Sequence, residues 1–132
     1  MSEIKLSYVT IVYKEPIIYR RYTKSVIMGP EEILECTEAT NKLTNNKPYL
    51  ALVDTRIQIN LTPDGHKISL ELQQKIKTVA QAVLVNGIGE RLVVKAFTEV
   101  SKPPYPMEVF TNEDVAVAWL MKQWKARDMG KR

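Results

Sequence analysis

Few residues in this chain have the type and spacing that chemistry requires. The best placed are Asp54-Thr55-Arg56, which end the apolar run from Pro48 to Val53. A run without polar alternation reads as a strand covered on both faces, so the triplet falls at its carboxyl end, where ligands of open α/β sheets bind. There Asp54 can accept hydrogen bonds from the amides of the following loop. Arg56 can contact an anion or a protein partner, and the hydroxyls of Thr55 and Thr62 are candidate ligand contacts or phospho-acceptors. No base stands beside them to activate a nucleophile. His66 is the single histidine and Cys36 the single cysteine, too few for a zinc site. His66 reads as a solvent-facing residue in the first turn of a helix, and Cys36, with no His or basic residue beside it, as a buried structural thiol. Asn86-Gly87-Ile88-Gly89 occupies the place of a phosphate loop, but Leu92 stands where the dinucleotide fingerprint needs a third glycine. It reads as a tight turn whose amides can still hold an anion. No catalytic, metal or cofactor constellation emerges.

The elements that must position these residues follow from periodicity and punctuation. Ile4 to Tyr13 reads as one strand and Ile17 to Tyr22 as a second, paired as a hairpin across Lys14-Glu15-Pro16. Tyr8, Tyr13, Tyr19 and Tyr22 fall in this hairpin, where cross-strand packing explains them better than stacking on single-stranded RNA. Gly29-Pro30-Glu31-Glu32 opens a helix carrying Ile33, Cys36, Ala39 or Thr40 and Leu43 at helical spacing, ending near Asn45-Asn46. Ile57 to Asn60 fits no element. Thr62 caps a further helix with Pro63 at its first position. Ile68, Leu72, Ile76, Val79 and Val83 extend that helical period into a strand expected at about Ala82 to Val85. A helix from Ile88 to about Val100 places Ile88, Leu92, Val93, Ala96 and Phe97 on one face, and Pro103, Pro104 and Pro106 stop it. Met107 to Phe110 reads as another central strand. Thr111 is expected to cap the last helix in a capping-box variant with Asp114, and Val115, Ala116, Ala118, Trp119, Leu120 and Trp124 to line its buried side.

The length of 132 residues suits one domain. One cysteine excludes a disulfide framework and fits a cytoplasmic, bacterial-type setting. The start lacks the form of a signal peptide, and no stretch approaches the roughly 20 apolar residues of a membrane span. The net charge of +4 lies wholly at the end, where Lys122, Lys125, Arg127, Lys131 and Arg132 face only Asp128. That distribution reads as a solubilising helix end and frayed tail rather than a nucleic-acid surface.

The order hairpin, then alternating helix and strand, predicts an α/β fold: a mixed sheet with an N-terminal antiparallel hairpin, parallel strands and about four helices. The segments Tyr49 to Arg56, Ala80 to Val85 and Pro106 to Leu120 resemble the STAS fold of anti-sigma-factor antagonists and sulfate-transporter tails. They are most similar to small stand-alone bacterial STAS-like domains of unassigned function. The resemblance implies a single STAS-like domain over residues 1–126 with a basic tail at 127–132. It also implies a non-enzymatic regulatory or protein-interaction module without a cofactor. In the antagonists a serine directly after an aspartate, at the start of the helix following the central strand, is phosphorylated. This chain has Asp54-Thr55-Arg56 and then Thr62 instead, so Thr55 and Thr62 match that site by position only. Two other readings stay open: a small-molecule or lipid carrier, and a nucleic-acid binder acting through the basic tail. A homodimer through the tyrosine-rich hairpin is the expected assembly if one forms.

Overall fold

The computed structural model describes residues 2–73 and 75–129, without the side chains of residues 93, 97–101, 128 and 129. Its main sheet is built on β5 (Tyr49–Asp54), every residue of which is buried. Strands β1 (Ser2–Lys5), β2 (Val9–Lys14) and β3 (Ile17–Tyr22) form an antiparallel meander. Strand β3 then pairs in parallel with β5, followed by β7 (Thr78–Leu84) and β8 (Met107–Phe110), in the order β1-β2-β3-β5-β7-β8. The central pairing of β5 is therefore with β3 and β7, and β8 lies one strand further out. The expected single strand from Ile4 to Tyr13 is broken at residues 6–8. Tyr8 turns inward there and donates its hydroxyl to Glu35 Oε1 at 2.7 Å on the first helix, so β1 becomes a separate edge strand covering β2.

Alternation along β5 sorts the core into two layers. Tyr49, Ala51 and Val53 face Cys36 and Ala39 of α1 (Pro30–Thr44), whereas Leu50 and Leu52 face Ala116 and Leu120 of α4 (Glu113–Met129). Helices α1, α2 (Pro63–Leu72) and α3 (Ile88–Ser101) each connect neighbouring parallel strands. Right-handed crossovers running one way across a sheet put such helices on the same face. Val94 of α3 accordingly packs with Val83, Val85 and Val109 on the α1 side, leaving α4 alone on the other.

The unassigned segment after β5 is a strand, β6 (Ile59–Leu61). It pairs in parallel with β4 (Val26–Met28) as a second, two-stranded sheet tying the entries of α1 and α2 together. Helix α2 stops at Leu72, not beyond, and Val79 and Val83 belong to β7. An interval of four returns to the same face of a strand as well as of a helix, which is why the period ran on. The cap of α4 is Asn112, whose Oδ1 accepts from Val115 N at 3.1 Å; Thr111 is exposed and Asp114 closes no capping box. Val115 and Ala118 point to solvent, and the buried stripe of α4 is Ala116 and Leu120 flanked by Val117, Trp119, Met121 and Trp124. The helix continues to Met129, past Arg127 where a frayed tail was expected, with the Arg127 guanidinium over the Trp124 ring at 4.8 Å. Residues 130–132 of that tail lie outside the described residues.

Candidate functional site

Register brings the sequence-predicted triplet together with two residues that the sequence did not flag. In the β3–β5 pair Arg21 stands directly opposite Asp54, and the first turn of α4 carries Glu113 into the same place. Asp54 Oδ1 accepts from Arg56 N at 3.1 Å and Arg56 Nε at 2.9 Å, and Oδ2 from Arg56 Nη2 at 2.7 Å and Arg21 Nη1 at 3.1 Å. Arg21 also grips Glu113 with both terminal nitrogens, at 2.7 and 2.9 Å, the bidentate geometry in which arginine binds carboxylate best. Arg56 is anchored from behind, since its carbonyl accepts from Asn86 Nδ2 at 2.6 Å. Asp54 thus receives the loop amide expected of it. No local signal could have exposed Arg21 or Glu113, because only the strand order and the placement of α4 make them neighbours.

The electrostatics point away from proton transfer. Burial works against ionising Asp54, but the side-chain and backbone hydrogen bonds of Arg56, reinforced by Arg21, hold its carboxyl below the usual value. The Arg21 hydrogen bonds lower Glu113 likewise, and both guanidinium groups are pushed up by the carboxylates they touch. Two acids that stay ionised and two bases that stay protonated offer no group poised to exchange a proton near neutrality. They form a latch joining β3, β5, the following loop and α4.

This latch predicts a stability profile. Both carboxylates release their proton more readily in the folded protein than in the unfolded chain. Their contribution is complete above the ordinary values of 3.8 and 4.5 and is lost as pH falls through the lowered folded values. Asp54→Ala is expected to cost about 2 kcal/mol at pH 7, discounted for the partial exposure of both arginines. It should also flatten the loss of stability below about pH 4. Urea melts of both proteins across pH 3 to 7 check this, and parallel profiles would disprove the latch.

Thr55 and Thr62 are not brought to Asp54's carboxylate. Thr55 directs both its amide and its hydroxyl to Leu84 O, at 3.0 and 2.7 Å, extending the β5–β7 ladder by a residue. Thr62 caps α2 as expected, accepting from Gly65 N at 2.9 Å, with Pro63 at the first helical position. The two threonines instead line neighbouring surface hollows of about 750 and 500 Å³ that share Ile59 and Val94; Arg56 and Asn86 border the first, His66 the second. His66 is partly buried rather than fully turned to solvent. Gly87 and Gly89 form the turn into α3 as expected, and neither has a positive φ. Cys36 is buried, with its thiol pushed up chiefly by that burial and 3.7 Å from the Tyr8 hydroxyl. Among the described residues no three His, Cys, Asp or Glu side chains are grouped to hold a metal ion, and no helix is long and apolar enough to cross a membrane.

Large apolar side chains are exposed on α3 and on the segment after β5. Ile88 is 74% exposed and Leu92, one turn on, 64%; Leu61 and Ile57 are 42% and 38% exposed. The apolar face expected of α3 is therefore turned outward at Ile88, Leu92 and Ala96, while the Val93 and Phe97 side chains lie outside those described. Among the described side chains of α3, Val94, from the other side of the helix, reaches the core.

Comparison with known proteins agrees with this architecture. The structure is similar to the crystal structure of an uncharacterised protein of the DUF3478 family from Shewanella loihica PV-4, which has a SpoIIAA-like fold. The TM-score is 0.64 at 15% identity, covering 85% of this chain and 91% of that one. The likeness establishes the SpoIIAA-like, and so STAS-like, fold. No curated protein matches the chain. Residues 11–123 match the Domain of unknown function (DUF7793), and the chain belongs to that family.

Proposed function

We propose that this protein is a cytoplasmic, non-enzymatic regulatory module that binds a protein partner at the carboxyl edge of its sheet. The observation that carries the reading is the outward-facing pair Ile88 and Leu92 on α3, the helix whose opposite side lines the hollows with Val94. Contiguous exposed apolar side chains rimmed by polar groups mark interaction sites. The Asp54 latch supports the reading by holding Arg56 in place at the rim with its charge already paired, which suits recognition better than turnover. Thr55 and Thr62 are the phospho-acceptors of the scheme: modifying either would break a hydrogen bond now made to Leu84 O or from Gly65 N and add negative charge beside the docking face.

The test is a photo-crosslinker at Lys95 on α3, in cells, with and without the double substitution Ile88→Ser and Leu92→Ser. Both side chains are solvent-exposed, so the variant should melt within about 1 kcal/mol of wild type. Loss of the crosslinked partner from the double variant is expected, and an unchanged set of crosslinks would sink the proposal. Sedimentation of wild type and variant separates a foreign partner from a second copy of the chain.

A further inference from the structure

Arg20 and Arg21 are consecutive on β3 and so point to opposite faces of the sheet. Arg21 meets two carboxylates. Among the described residues Arg20 meets none: its Nη2 donates to Thr40 Oγ1 at 2.9 Å, and its Nε, shut off from solvent, has no partner. It lines a cavity of about 190 Å³ between the sheet and helices α1 and α2, and none of the described residues lining that cavity is an aspartate or glutamate.

Arg20 is partly buried with its Nε sealed off; a guanidinium cannot shed its proton, and a desolvated charge without a counter-charge is a liability that an apolar side chain of similar size would remove. The rest of the wall has the complementary chemistry. Tyr22, Tyr49 and Tyr105 line it. Burial pushes Tyr22 and Tyr105 up to about 12, so both are neutral hydroxyl donors at physiological pH. Tyr49 accepts from Thr78 Oγ1 at 3.0 Å, which leaves its own proton to donate. Met28, Val53 and Leu72 supply an apolar wall, and the half-exposed Leu61 lines both this cavity and the surface hollow beside α2. A dry cavity of about 150 Å³ already accepts benzene.

We propose that this cavity binds a small organic monocarboxylate, its head on Arg20 and the tyrosine hydroxyls and its compact body against Met28, Val53 and Leu72. One guanidinium and neutral donors match a single negative charge, and the apolar wall favours an organic acid over an inorganic oxyanion. The site lies on the same face of the sheet as α3 but is not lined by Ile88 or Leu92, so its test is independent of the docking pair.

The probes are sodium benzoate, benzamide as its neutral isostere, and inorganic phosphate, in thermal melts at matched ionic strength. Benzoate is expected to raise the midpoint saturably, by about 8 °C when present at a hundred times its dissociation constant, and benzamide not to. Arg20→Met should lose the benzoate response while melting at or above the wild-type midpoint without ligand. Ser69→Phe, which keeps Arg20 but fills the cavity from α2, should lose the response as well and decides the matter if Arg20→Met does not fold. Absence of a benzoate shift, equal shifts in wild type and either variant, or a larger shift with phosphate than with benzoate would each overturn the proposal.

Discussion

Replacing Gly65 with alanine is expected to destabilise the protein by about 3 kcal/mol, a fall of roughly 10 °C in melting temperature. The exchange would ordinarily stabilise a helix by about 1 kcal/mol. Gly65 lies in the first turn of α2 with an unstrained φ, so what it supplies is space. A methyl group built on it overlaps the Met28 carbonyl oxygen and comes within 3.1 Å of Gly29 Cα and Thr62 Oγ1. Two of those three neighbours are backbone, and Met28 O is already committed to the Thr62 amide at 3.0 Å. Relief therefore requires α2 to move off the junction of β4 and α1. Gly89→Ala is the control: no described atom lies within 4 Å of its added methyl, and the exposed start of α3 should gain a few tenths of a kcal/mol. Equal effects at the two glycines would show that α2 does not sit this close to β4.

Leu120→Ala is expected to cost about 3 kcal/mol, with an unchanged urea m-value. Leu120 is fully buried on α4 and packs against Leu50, Leu52 and Leu84, so its removal leaves a void the sheet cannot close. Val115→Ala, one turn and a face away and 55% exposed, should shift stability by less than about 0.5 kcal/mol. Denaturant melts of the two variants test the placement of α4 directly. If Val115→Ala proves the costlier, the helix is rotated from the position described.

Helical spacing alone put Val115 and Leu120 on the same buried side, and the difference between them shows where sequence reasoning stops. Punctuation was reliable where a single residue has one physical use. Thr62-Pro63 opened α2, Gly29-Pro30-Glu31-Glu32 opened α1 with Glu32 Oε1 accepting from Gly29 N at 2.7 Å, and Asn45 closed α1 in the left-handed region. It failed where two adjacent residues could serve equally, as with Thr111 and Asn112, because the choice of cap depends on the angle at which the chain leaves β8. Periodicity failed where an interval suited both helix and strand, as between Val79 and Val83.

The fold class, the central strand Tyr49–Asp54 and the polar triplet at its carboxyl end are legible in the amino-acid sequence, since apolar runs, caps and breakers act locally and over few residues. The sequence could not determine what surrounds that end. Arg21 and Glu113 are 92 residues apart, and they meet Asp54 only because β3 lies beside β5 and α4 crosses back over the sheet. The same pairing sends Arg20 to the other face, toward a cavity with no counter-charge among the described residues. Charge complementarity and enclosed space are properties of residues far apart in the chain, so only the tertiary structure could assign one arginine to a latch and its neighbour to a pocket.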